Sequence, residues 1–152
     1  MQIIIFSLIS AILFRLGGSS YNLPLKTKLR DVGCTVCTLL TMWAVGIHAE
    51  IVQTFIYIAL SWGILSLSCD FWGSDDIEWY ERVLWGFLQG LTAIPMAIYT
   101  GRYIGFFIRI LILMIFMPFS DKLQIKVFLD KTDGVELSRG FIYNITIPLL
   151  LV

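Results

Sequence analysis

From Ile104 to Phe119 the chain reads Ile-Gly-Phe-Phe-Ile-Arg-Ile-Leu-Ile-Leu-Met-Ile-Phe-Met-Pro-Phe, with Arg109 its one charge. A run like this loses free energy wherever it faces water, so it must be buried in a protein core or in lipid. Further apolar stretches lie over residues 1–16, 31–47, 51–68, 83–99 and 135–152. Each approaches or reaches the ~17–25 residues that a membrane-crossing helix needs.

Composition decides between core and lipid. Of 152 residues, 58% are hydrophobic and 14% charged. A soluble domain carries about 45–50% and about 25%. That leaves too little charge to cover a water-facing surface. The expectation is an all-α polytopic transmembrane helix bundle of about six short spans, forming a single domain over residues 1–152.

The polar punctuation supplies the topology. No basic residue precedes the first run and Arg15 follows it, so a retained helix is expected rather than a signal peptide. Gly17 to Pro24 reads as a break, and Lys26, Lys28 and Arg30 as a basic loop, either simply solvated or in contact with anionic lipid. Gly46 to Glu50 reads as the tip of an antiparallel helical hairpin. Thr35, Thr38, Thr41 and Thr54 can bond back to their own helices. Gly86 and Gly90 form a small-xxx-small pair suited to close helix contact, and Pro95 predicts a kink. The loops after spans one, three and five hold Lys26, Lys28 and Arg30, then Arg82, then Lys122, Lys126 and Lys131, whereas the alternate loops hold only Arg102. The positive-inside rule then puts both termini outside a bacterial inner (cytoplasmic) membrane and the acidic stretch Ser68–Arg82 inside.

That stretch holds Asp70, Asp75, Asp76, Glu78 and Glu81. Clustered carboxylates suit a hard divalent cation, and Asp70, Asp75, Asp76 and Glu78 are the metal candidates. The plainer reading is a helix start capped by Ser74 or Asp75, with Glu78 and Arg82 paired one turn apart. Trp72, Asp75, Asp76, Glu78 and Trp79 together would make an interaction surface, their rings at head-group level. Arg109 is the intramembrane charge; it either meets Glu50 or Tyr99 or extends to the outer surface. Cys34-Thr35-Val36-Cys37 is half of a metal or redox motif. The only histidine, His48, lies at the other end of that span, so small-residue packing is expected instead. No cofactor is implied, and zero net charge gives no field to attract nucleic acid.

The sequence Phe14-Arg15-Leu16-Gly17-Gly18, then Leu23-Pro24 with its basic stretch, then Glu136-Leu137-Ser138-Arg139-Gly140-Phe141 and Ile147-Pro148-Leu149-Leu150, is similar to small polytopic membrane proteins of bacteriophage genomes. The resemblance covers most of the chain. It implies a role at the host inner membrane and brings no catalytic residues with it. Three functions compete. The leading one is a non-enzymatic modulator or partner of other membrane components, including further copies of itself. The alternatives are a holin-like pore former and a divalent-ion-dependent lipid-modifying enzyme.

Overall fold

The computed structural model describes the backbone of residues 1–17, 24–71, 78–120 and 141–152, and side chains over 1–13, 29, 32–64, 78–119 and 141–152. The chain is all-α, with no strand among the described residues. Its helices are α1 (Gln2–Gly17), α2 (Pro24–Ala44), α3 (Ile51–Phe71), α4 (Trp79–Leu91), α5 (Ile94–Thr100) and α6 (Tyr103–Ser120). A further helical stretch, α7, is described over residues 141–145 and leads into a 3-10 turn, Ile147–Leu151.

Most helix ends follow from local chemistry, and several differ from the sequence reading. α2 starts at Pro24, a residue whose fixed φ and missing N–H suit the first helical position. Lys26, Lys28 and Arg30 therefore stand on the opening turns of α2, not in a loop. Gly46, at φ 89°, makes the turn after α2 in the left-handed region that glycine tolerates. α3 continues through Asp70, so the acidic stretch begins on a helix. α4 is capped by Glu78 rather than by Ser74 or Asp75. The Glu78 backbone N–H donates to Glu81 Oε2 at 2.9 Å, as in a capping box.

Pro95 acts as expected. It cannot supply the N–H that would continue α4, and the chain breaks at Thr92–Ala93 before restarting as α5. The two pieces meet at 43°. The broken turn is held by the Thr92 hydroxyl, which donates to the Gln89 carbonyl at 2.8 Å. Pro148 has a similar effect. The stretch expected to be one helix over 135–152 leaves α geometry at Thr146 and finishes as the 3-10 turn.

The chain divides into two compact units. The first comprises Met1–Val45 and Phe119–Ile147, the second Gly46–Pro118 and Pro148–Val152. In the first, α1 packs along α2. Gly33 makes room there for Leu13, whose Cδ1 would lie 2.8 Å from any added Cβ. In the second, α3 packs against α4 and α5. α4 lies directly on α6: a Cβ at Gly86 would strike the Leu113 backbone, and one at Gly90 would come within 2.6 Å of Ile110 Cγ1. This is the close approach that the small-xxx-small spacing anticipates.

Among the described residues, no single helix is long and apolar enough to cross a membrane. The shorter apolar helices run 10–17 residues. The bent pair α4–α5 does pass by length and composition, as a broken span or a re-entrant loop.

Candidate functional site

The distribution of polarity singles out the interior of each unit. A helix in a soluble protein buries its apolar stripe and exposes its polar face. On α1, α2 and α3 the order is inverted, while the buried faces of α5 and α6 are apolar apart from Arg109. On α1 the buried residues are Ser7, Ser10 and Ala11, while Ile4, Ile5, Leu8, Ile9 and Ile12 are exposed. On α2, Cys34, Thr35, Cys37, Thr38 and Thr41 turn inward with Met42, and Val36, Leu40 and Trp43 turn outward. On α3, Tyr57 and Ser61 are buried at a one-turn spacing, and Val52, Phe55, Ile56 and Trp62 are exposed.

Most of the buried hydroxyls are satisfied within their own helices. Ser7 donates to Ile3 O at 2.7 Å, Thr41 to Cys37 O at 2.8 Å, and Thr146 to Ile142 O at 2.9 Å. This is the back-bonding that makes Ser and Thr tolerable away from water. One bond instead joins distant helices of the first unit: Thr38 Oγ1 lies 2.8 Å from Asn144 Oδ1 on α7 and 2.9 Å from the Cys34 carbonyl. The Cys34 thiol lies 3.9 Å from the Ser10 carbonyl on α1. Ser10, Cys34, Thr38 and Asn144 thus form a buried neutral polar cluster bringing α1, α2 and α7 together. The motif Cys34-x-x-Cys37 contributes buried thiols to this packing, as the sequence led us to expect.

In the second unit the interior carries a full charge. Arg109 is 0% exposed, on the α6 face that also buries Phe106, Ile110 and Leu113. The guanidinium therefore does not reach out to a surface as a snorkelling arginine would. It interacts with other groups in the protein. The Gly90–Ile110 contact puts Arg109 at the level of Gln89, also buried, and close to the α4–α5 break. Of the partners the sequence suggested, Tyr99 donates its hydroxyl proton to the His48 carbonyl at 2.6 Å, and Glu50 is exposed.

Trp72, Asp75 and Asp76 lie outside the described residues, as do the side chains of Asp70, Lys26, Lys28 and Arg30. Glu78 and Trp79 are exposed at the start of α4. Among the described residues no group of His, Cys, Asp and Glu could hold a metal ion. Asn144 is the residue that sequence reasoning missed. A lone carboxamide in the apolar stretch Phe141–Leu151 is the same kind of oddity as Arg109, and that was the available signal.

No family model, curated protein or solved structure matches the chain.

Proposed function

We propose that this chain is a polytopic protein of a bacterial inner membrane that acts without chemistry of its own, as a modulator or partner of other membrane components. The inversion of polarity carries this reading. Ser7, Ser10, Thr38, Thr41, Thr92, Asn144 and Arg109 lie inside, and rows of Ile, Leu, Phe and Trp lie outside. A monomeric soluble protein rarely exposes a contiguous apolar patch larger than a few hundred Å². Lipid tails solvate such faces, and helices packed in lipid use small and hydroxyl-bearing residues at their contacts.

One further observation supports the reading. Exposed aromatic residues gather at helix ends, with Trp79 and Tyr80 opening α4, and Tyr99 and Tyr103 flanking the α5–α6 turn. Such rings favour the two head-group layers. Helices α1, α2 and α3 have 16 to 21 residues, but their apolar parts, Gln2–Leu13, Val32–Ala44 and Ile51–Ile64, are shorter than the ~30 Å hydrocarbon core. In this reading local bilayer thinning, snorkelling of flanking residues and oligomerisation take up the shortfall. In this reading the broken pair α4–α5 is one span, both termini face outward, and the surface around Trp72, Asp75, Asp76, Glu78 and Trp79 faces the cytoplasm. The likeness to phage membrane proteins suits a role at a host membrane.

The test is extraction. The chain expressed in a bacterium is expected to stay in the membrane pellet through an alkaline wash and to enter solution only with detergent. A monodisperse protein in detergent-free buffer overturns the proposal. Sidedness is checked by single-cysteine labelling in intact cells: a cysteine at Glu50 should react with an impermeant reagent and one at Glu78 should not. Neutralising Asp75, Asp76 and Glu78 together should release co-purifying membrane proteins. Retention of the same partners removes that docking surface.

A further inference from the structure

In the second unit, one short turn holds two segments that are far apart in the chain. α5 ends at Thr100 and α6 begins at Tyr103. Gly101 between them takes φ 67°, the left-handed conformation that closes many helices and that side-chain-bearing residues rarely adopt. Just before the turn, the Tyr99 hydroxyl donates to the His48 carbonyl at 2.6 Å. Just after it, Arg102 NH1 donates to the Leu151 carbonyl, also at 2.6 Å. His48 belongs to the tip between α2 and α3, and Leu151 ends the 3-10 turn.

The two bonds share a design. Each captured carbonyl lies outside a continuing helix, where no donor one turn ahead would satisfy it. Each is gripped by a long side chain, so the grip depends on the path of the captured backbone and not on its side chains. Both bonds are exposed. Next to each captured carbonyl, however, an apolar residue is buried: Ile47 is 5% exposed and Leu150 0%. The 3-10 turn is seated further at Gly105, where the Leu149 carbonyl fills the space a Cβ would take. With Leu151 at Arg102 and Leu149 at Gly105, that turn runs back along the first turn of α6. Arg109 follows Gly105 by one helical turn and so lies on the same face of α6.

Water competes for an exposed hydrogen bond, and segments held by such bonds are the ones that open locally while a fold persists. We infer that the α5–α6 turn is a double clasp: Tyr99 holds the α2–α3 tip, Arg102 holds the 3-10 turn, and each clasp releases its own segment while the rest of the second unit stays folded. Release by Arg102 uncovers the face of α6 that leads to Arg109. The Arg102 bond is charge-assisted and so the stronger of the two. The inference goes beyond the membrane reading and does not depend on it.

Thiol labelling of the purified full chain tests it, with Cys34, Cys37 and Cys69 replaced by Ala. Leu150→Cys reports on the 3-10 turn, Ile47→Cys on the tip, and Leu113→Cys on the core of the unit. Arg102→Ala is expected to speed labelling of Leu150→Cys by about tenfold or more and to leave the other two reporters unchanged. Tyr99→Phe removes only a hydroxyl. It should speed labelling of Ile47→Cys by about three- to tenfold and leave Leu150→Cys and Leu113→Cys as they were. Should Arg102→Ala not fold, Arg102→Gln takes its place. Unchanged labelling at Leu150→Cys and Ile47→Cys overturns the clasp. Equal acceleration at Leu113→Cys overturns it too, because the bonds would then support the whole unit and not a local closure.

Discussion

The two units solve one problem in different ways. Each exposes many apolar residues and buries several polar ones. The first unit does so with neutral groups: Ser7, Thr38 and Thr41 donate to carbonyls of their own helices, and Cys34 and Cys37 pack as small thiols. The second holds a full charge, Arg109, and gains proximity through bare backbone at Gly86 and Gly90. A hydroxyl satisfied by its own helix makes few demands on its neighbours. A buried guanidinium must be met by groups from elsewhere in the fold, because an isolated charge is far more costly to bury than a neutral dipole. The first unit should therefore tolerate polar-to-apolar changes that the second does not.

The largest effect is expected at the glycine contacts. Gly86→Leu drives a side chain into the Leu113 backbone, which cannot yield as a side-chain tip would. Folded protein should be lost, corresponding to more than about 4 kcal/mol, as measured by the yield of monodisperse material. Gly105→Val should behave alike, since a Cβ there overlaps the Leu149 carbonyl. If either variant folds normally, the close packing ascribed to the second unit is wrong.

Arg109→Ala comes next. Removing one partner of a buried charged interaction typically costs about 3–5 kcal/mol, which thermal unfolding would register. The matching change in the first unit is Thr41→Val, which deletes a fully buried hydroxyl that serves only its own helix. Its cost should stay below about 1.5 kcal/mol. Equal losses for the two variants would erase the proposed distinction.

The smallest effects lie on the periphery. Glu81→Ala removes the acceptor of the Glu78 N–H and should cost about 0.5–1 kcal/mol, read as a small fall in melting temperature. Gly63→Ala should instead stabilise by about 0.5–1 kcal/mol, because Gly63 is mid-helix and a Cβ there meets nothing within 4 Å. A large loss at Gly63 would show that its open side is occupied by something else.

Much of this was legible in the residues. Apolar runs punctuated by Gly, Pro and charge predict helices, and every described element is helical or a turn. Pro95 ends α4 because a missing N–H is a local fact that needs no partner. The Gly86–Gly90 spacing predicts a close contact because two small residues one turn apart leave a groove on any helix. Helix starts were harder to read. Lys26, Lys28 and Arg30 look like loop residues by charge, yet a helix can project them as readily, and Pro24 starts it. Glu78 caps α4 although Ser74 and Asp75 have the stronger intrinsic preference.

What the chain determined alone is its class: helical and rich in apolar residues. Those properties are sums over local preferences and transfer free energies, and each residue contributes without reference to distant ones. Only the tertiary structure decided which side of each helix faces inward. It placed Thr38 against Asn144 and buried Arg109 instead of letting it reach a surface. These outcomes depend on pairings between residues far apart in the chain, about which local periodicity carries little information when both faces of a helix are nearly as apolar.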